Sequence, residues 1–161
     1  MLKPEVVEQM GRVLAFVEER GFRFNRLMLT RLSPESASHF YAEHAGRSFY
    51  ECVPATHPPH QRPGTWRHRC FFFVGRRLVE YISSGPVLAM ELRAPSAVAA
   101  WRQTLGPTDP EKARLESPDT LRARFGTDTT YNAAHGSDSV QAAVRVRFSL
   151  SLSLCVSIDD L

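Results

Sequence analysis

The stretch Asn132-Ala133-Ala134-His135-Gly136-Ser137-Asp138-Ser139 carries more information about fold and chemistry than any other part of this sequence. The glycine and serine after His135 predict a turn, and a helix start is expected close behind it, near Val140. A histidine in such a turn is both exposed and oriented. Because imidazole titrates at a pH of about 6.5, one ring nitrogen can act as a nucleophile without a separate base. Most loop histidines are only solvated side chains, so the residue alone does not establish an active site.

Outward from this stretch, apolar periodicity and Pro/Gly punctuation predict alternating helices and strands. The strand-like segments lack the long apolar runs of an all-parallel sheet, which favours a small α+β sandwich with a mainly antiparallel sheet. Beyond Thr108 the sequence predicts mostly loop until a helix begins near Asp138. The predicted elements are a helix over Pro4 to Gly21, a strand over Phe22 to Leu32 with one bulge, a helix from Ser33 to about Gly46, a helix over Leu78 to Ser84, a strand over Val87 to Leu92 and a helix over Pro95 to Leu105.

Two segments do not follow this pattern. Residues 52–76 contain four prolines, three of the six histidines and no acidic residue, which predicts a disordered insert. Residues 147–161 include the repeat Ser149-Leu150-Ser151-Leu152-Ser153-Leu154, a low-complexity tail. The remainder, residues 1–146 without the insert, is predicted to be one domain.

Charge and cysteine usage narrow the functional class. The 161-residue chain has a formal net charge of +3, but without the four arginines of the 52–76 segment it has 16 basic and 17 acidic residues. No polybasic run accompanies the charge, so nucleic acid is not an expected partner. No apolar run of about 18 residues predicts a membrane span. The odd cysteines Cys52, Cys70 and Cys155 fit a reducing compartment, so a cytoplasmic location is expected, with mitochondria as the alternative.

The stretch around His135 resembles the active-site signature of nucleoside diphosphate kinases, Asn-x-x-His-Gly-Ser-Asp followed by Ser, at every fixed position. Lys3-Pro4 is similar to the family's Lys-Pro-Asp, and the blocks around Ser84-Gly85-Pro86-Val87 and Trp101 to Thr108 occur in the family's order. The Gly-Pro-Thr block and the run before the signature are most similar to the nucleoside diphosphate kinase 6 branch. The resemblance implies a ferredoxin-like βαββαβ sandwich with a four-stranded antiparallel sheet. Because only two residues precede Lys3, the first strand is expected to be truncated.

The resemblance also implies a role for each matching residue. The γ-phosphoryl group of a nucleoside triphosphate would pass to His135 and then to a nucleoside diphosphate, while fixed positive charge stabilises the transferred group. Magnesium would arrive with the nucleotide, bridging its phosphates. The implied nucleotide-binding residues are Lys3, Phe49, Arg102, Thr108, Arg122 and Asn132, with Phe49 on the base, Thr108 on a phosphate and Asn132 on the sugar; Tyr41 and Ser137 would support the pocket. ATP and nucleoside diphosphates are thus the expected ligands, and a homo-oligomer is compatible with the resemblance.

Departures from the family pattern leave alternatives open. Val146 stands where the family has a glutamate that orients the histidine, so the loss of that partner predicts weaker catalysis. The alternative function is therefore a weak or inactive paralogue that binds nucleotide or a protein partner. In the insert, zinc-binding atoms are present in Cys52, His57, His60, His68 and Cys70, but their spacing fits no compact zinc motif. Insert and tail also resemble translated intron sequence, a hypothesis that sequencing the transcript would test.

Overall fold

The computed structural model describes residues 1–42 and 77–149, and it has helices on both faces of a small antiparallel sheet. The helices α1 and α2 precede the first strand, and α3 follows it. The elements in chain order are α1 (Pro4–Val7), α2 (Met10–Glu18), β1 (Arg23–Arg31), α3 (Pro34–Ala42), α4 (residues 77–83), β2 (Pro86–Arg93), α5 (Ala97–Leu105), α6 (Pro110–Glu116), α7 (Leu121–Phe125) and α8 (Val140–Ser149). No helix in these two ranges is long and apolar enough to cross a bilayer.

Strands β1 and β2 pair antiparallel from Arg23 opposite Arg93 to Arg31 opposite Pro86. The register slips between Phe24 and Arg26, which confirms the bulge expected from the sequence. Within the described ranges these are the only two strands, so the expected four-stranded sheet is not confirmed. Two single-residue antiparallel bridges extend the ladder, from Leu88 to Leu2 and from Leu2 to Ala134.

The two faces of β2 support two apolar clusters. Leu88 and Met90 face a cluster with α2 and α5, while Val87 and Ala89 face a second cluster with α3. Strand β2 is therefore buried on both faces, whereas β1 is largely exposed. Leu2, fully buried in the first cluster, fixes the start of the chain beside β2. Burial of apolar surface, at about 25 cal/mol per Å², stabilises this position.

Two predictions about helices needed correction. The single helix expected over Pro4 to Gly21 is two helices, with Gln9 between them, near the weak helix former Gly11. The segment expected to be loop beyond Thr108 contains α6 and α7. The signal for α6 was present, since the Asp109 side chain accepts a hydrogen bond from the Glu111 N–H at 2.9 Å and Pro110 occupies the first turn.

The insert predicted at 52–76 lies outside the described residues, as does most of the predicted tail. Their boundaries and their predicted disorder stay predictions.

Candidate active site

His135 is held by its main chain against the start of the sequence. Its N–H donates to the Met1 carbonyl at 2.9 Å, and the Met1 nitrogen donates to the His135 carbonyl at 3.0 Å. The Lys3 N–H donates to the Ala133 carbonyl at 2.9 Å. These three bonds join residues 1–3 to residues 133–135, so the backbone position of His135 depends on a segment more than 130 residues away.

A tight turn precedes the histidine. The Ala134 N–H donates to the Asn132 carbonyl at 2.8 Å, and Ala133 between them has a φ of 69°. A bond across three residues with a positive φ at the centre is a γ-turn, a rare and strained conformation. Ala133 is completely buried, so the turn is part of the packed interior rather than a surface loop.

A buried lysine and a half-buried arginine lie beside this turn. The Lys3 ammonium donates to the Thr130 carbonyl at 2.7 Å, and only 5% of the residue is exposed. The Arg122 guanidinium donates to the carbonyls of Gly106 at 3.0 Å and Ala134 at 3.2 Å. Both groups are thus fixed by backbone oxygens, and Arg122 touches the residue directly before His135.

The electrostatics show that Lys3, Arg122 and Arg102 are neighbours. Burial lowers the pKa of Lys3 to about 8, and the positive charge of Arg122 contributes to that fall. Burial, followed by the charge of Arg102, lowers the pKa of Arg122 to about 10. The carboxylates of Glu5 and Asp128 oppose the fall in the Lys3 pKa. Because like charges repel, the proximity of Arg102 to Arg122 favours an anion beside these two arginines.

Asn132 and Thr108 meet through the backbone. The Asn132 amide donates to the carbonyls of Thr108 and Thr129, both at 3.1 Å, which ties the α5–α6 loop to the signature. Asn132 is 4% exposed, and its Oδ1 has no hydrogen-bond partner among the described residues. The buried Nε of Arg122 lacks one as well. Buried polar atoms without a partner, close to cationic side chains, are suited to a polar ligand.

Helix α3 contributes aromatic residues to the imidazole side of the pocket. The Phe40 ring meets the His135 ring edge-on, with centroids 4.7 Å apart and an interplanar angle of 68°. Tyr41 is buried and stacks edge-on with Phe40 at 5.1 Å, so it supports the histidine through its neighbour. Ser137 is also buried. Arg102 and Thr108 are exposed.

The turn after the histidine is fitted to an indole ring. A Cβ added to Gly136 would lie 2.5 Å from Cδ1 and Nε1 of Trp101 and 2.7 Å from Cδ1 of Leu105. Only glycine allows so close an approach. The Gly-Ser part of the signature is therefore constrained by α5 packing as well as by any ligand.

The structure brings together Lys3, Arg102, Thr108, Arg122, Asn132 and His135. Tyr41 packs on Phe40, which contacts the His135 ring, and Ser137 is buried two residues after His135. Phe49 lies outside the described residues, and so does the side chain of Val146. Among residues 1–42 and 77–149, no three His, Cys, Asp or Glu side chains form a group that could hold a metal ion.

Sequence reasoning missed four residues that contact the site. Apolar periodicity predicts only that Phe40 and Trp101 are helix positions facing the core, and it assigns no site role to Glu5 or Tyr81. The Glu5 carboxylate accepts from the Ala133 N–H at 2.9 Å and from the Tyr81 hydroxyl. The one available signal was Glu5 itself, an acidic residue directly after Lys3-Pro4, where the resembled motif also has an acid.

Comparison with known proteins identifies the family of this chain. The family model "Nucleoside diphosphate kinase" matches residues 1–58 and 64–150. "Probable nucleoside diphosphate kinase 5" of Arabidopsis thaliana is 39% identical over 147 residues, covering 90% of this chain and 85% of the relative. "Nucleoside diphosphate kinase homolog 7" of Rattus norvegicus is 33% identical over 145 residues, and the match covers 90% of this chain but only 30% of that protein.

A crystal structure of the nucleoside diphosphate kinase of Aquifex aeolicus superposes with a TM-score of 0.71 at 34% sequence identity, covering 92% of this chain and 89% of that one. The α+β fold is therefore that of a solved nucleoside diphosphate kinase. The closer resemblance to the nucleoside diphosphate kinase 6 branch stays a prediction. From the matched family model, the full-length relative and the shared fold together, the chain belongs to the nucleoside diphosphate kinase family.

Proposed function

We propose that this chain transfers the γ-phosphoryl group of a nucleoside triphosphate to a nucleoside diphosphate through a phosphohistidine at His135. The observation that carries the proposal is the gathering of Lys3, Arg122 and Arg102 beside the His135 turn. Repulsion raises the free energy of the empty site, since the charge of Arg122 lowers the proton affinity of Lys3 and the charge of Arg102 lowers that of Arg122. A triphosphate relieves that repulsion.

The chemistry balances in two half-reactions. A lone pair of the neutral imidazole forms a bond to the γ-phosphorus, and the bond from that phosphorus to the bridging oxygen breaks. The nucleoside diphosphate leaves with the electron pair. In the second half, a terminal oxygen of an incoming diphosphate attacks the phosphohistidine, and the imidazole leaves with its electrons. Fixed cations stabilise the charge on the transferred group in both directions.

The remaining residues suit a nucleotide. The orphaned Oδ1 of Asn132 is an acceptor for a sugar hydroxyl, and Thr108 is an exposed hydroxyl next to it on the α5–α6 loop. Magnesium belongs to the substrate in this proposal, bound to the nucleotide phosphates on arrival. Phe49 is proposed to stack on the base; a stacking contact reads any base, so broad nucleotide specificity is expected.

The test uses γ-labelled ATP and the purified full chain. An alkali-stable, acid-labile label is expected on the wild type, absent from His135→Ala and chased off by an unlabelled nucleoside diphosphate. Absence of label at saturating ATP would overturn the proposal. Thermal stabilisation by nucleotide without any label would instead favour the binding module, the alternative raised by Val146.

A further inference from the structure

The γ-turn before His135 has an unfavourable backbone conformation at Ala133, and contacts elsewhere in the fold must offset its free-energy cost. Ala133 is one of two non-glycine residues with positive φ in the described ranges, and the other, Ser96, is exposed. A left-handed conformation costs an L-residue roughly 1–2 kcal/mol. Such a residue persists where its surroundings over-determine it. For Ala133 the surroundings are the Lys3-Pro4-Glu5 segment.

That segment hydrogen-bonds to both the N–H and the carbonyl group of Ala133. The Lys3 N–H binds its carbonyl, and Oε1 of Glu5 accepts from its N–H at 2.9 Å. Pro4 is the first residue of α1, so the chain between the two contacts is stiff. The other Glu5 oxygen accepts from the Tyr81 hydroxyl, which fixes the carboxylate from a second direction. A carboxylate that accepts a backbone N–H makes a bond roughly twice as strong as a neutral one.

We propose that Glu5 is a positioning residue for His135, acting by holding Ala133 in its left-handed conformation. The catalytic consequence rests on the proposed phosphohistidine function. Glu5 binds the backbone N–H of Ala133, which lies two residues before His135. Its effect therefore passes through the turn, and it belongs to the step in which the imidazole approaches phosphorus.

A second effect of Glu5 has to be separated from the first. Its charge favours the protonated form of Lys3 and so opposes the lowering of the Lys3 pKa by burial. Asp128 acts in the same direction and Arg122 in the opposite one. If Glu5 acted only through this charge, a neutral isostere would be as harmful as full truncation.

The variants Glu5→Gln, Glu5→Ala, Ala133→Gly and Glu5→Ala/Ala133→Gly distinguish the two routes. Glutamine keeps an oxygen for the Ala133 N–H but has no charge, while alanine has neither. Glycine adopts positive φ without strain, so with glycine at position 133 the turn should form without the Glu5 hydrogen bond. The readouts are the labelling rate of His135 across a range of ATP concentrations and the amide hydrogen exchange of Ala134 and His135.

The proposal predicts that Glu5→Ala slows labelling at saturating ATP by about 10–100-fold, the range for lost support of a reacting group, with little change in half-saturating ATP. Glu5→Gln should retain most of the rate, and Ala133→Gly should restore most of it to Glu5→Ala. Hydrogen exchange at the Ala134 and His135 amides should rise in Glu5→Ala, stay near the wild-type rate in Glu5→Gln and fall again in the double variant. Where Glu5→Ala does not fold, folding and labelling of the double variant support the proposal.

Wild-type labelling rates in a folded Glu5→Ala would overturn the inference, and so would failure of Ala133→Gly to rescue it. Equal losses of labelling rate in Glu5→Gln and Glu5→Ala would also overturn it, because they would mean that Glu5 acts through its charge on Lys3. If the wild type takes no label, the proposed function fails on its own. The exchange pattern then decides whether Glu5 holds the turn, because that measurement needs no nucleotide.

Discussion

The floor and the rim of the candidate site are built differently. The floor, which consists of Lys3, Asn132 and Ala133, is 5% exposed or less, and each member is hydrogen-bonded to backbone or carboxylate groups from distant segments. The rim, which consists of Arg102 and Thr108, is exposed, and the Arg102 side chain makes no hydrogen bond or ion pair within the described ranges. The floor is ordered by contacts within the chain, whereas the rim side chains are proposed to gain their contacts when nucleotide binds.

The largest difference is expected when one cation is removed from each region. Lys3→Met deletes a buried, preoriented charge and should slow His135 labelling about 10²–10³-fold, as loss of one fixed donor does elsewhere. Arg102→Met is the matched rim variant. Its charge is screened by water and salt, so a loss of about tenfold is expected, in line with an exposed charged hydrogen bond. Equal losses, measured at the same ATP and salt concentration, would contradict the distinction.

The pH dependence of the floor is the next largest effect. With the Lys3 pKa lowered to about 8, the free protein loses this charge as pH rises through 8, and the labelling rate at limiting ATP should fall about tenfold per pH unit above it. Lys3→Met should show no such fall. A flat wild-type profile up to pH 10 would contradict the burial of an ionisable Lys3.

Stability should change in the opposite direction over that interval. The unfolded chain keeps a proton on this lysine up to its ordinary pKa of 10.5, while the folded chain releases it near 8. The unfolded state therefore binds more protons between pH 8 and 10.5, and this group raises the free energy of unfolding as pH rises. Urea unfolding of the wild type and of Lys3→Met at pH 8 and pH 10 should show the wild type gaining relative to the variant.

Two glycines provide a third comparison. Gly136→Ala would drive a methyl group into Trp101 and Leu105 beside the floor, at a cost of about 1–3 kcal/mol or a fall in Tm of several degrees. At Gly11, in α2, an added Cβ meets nothing within 4 Å. Gly11→Ala should therefore raise stability by about 0.5–1 kcal/mol. Opposite signs in thermal melts are expected, and a tolerated Gly136→Ala would mean that α5 can move away.

Much of the molecule could be predicted from residue patterns. The bulge in β1 followed from one slip in the alternation of apolar and polar residues. The end of helix α5 before Gly106 followed from the Gly106-Pro107 pair. The resemblance named most of the residues that meet at the site, since a signature preserves order along the chain. It could not tell that Lys3 is buried and Arg102 exposed, because burial depends on packing between distant segments.

The contacts of Glu5 with Ala133 and of Phe40 with His135 could not be predicted from the sequence, because they too depend on packing between distant segments. Glu5 and Ala133 are 128 positions apart, and nothing in an alanine indicates a positive φ. Phe40 was expected only as an apolar helix residue, yet its partner is the His135 ring. Local periodicity predicts which face of a helix is buried but not which side chain it meets.

The smallest predicted effect concerns the helix next to the rim. Asp109→Ala removes the cap of α6 and should cost about 1 kcal/mol, a fall in Tm of about 2–4 °C. Ser96→Ala is the matched control, because Ser96 precedes α5 without making a side-chain cap bond. Labelling of His135 by saturating ATP should change little in either variant, since the floor is untouched. A large loss of labelling in Asp109→Ala would instead mean that the rim must be rigid before nucleotide binds, which would remove the distinction between the two regions.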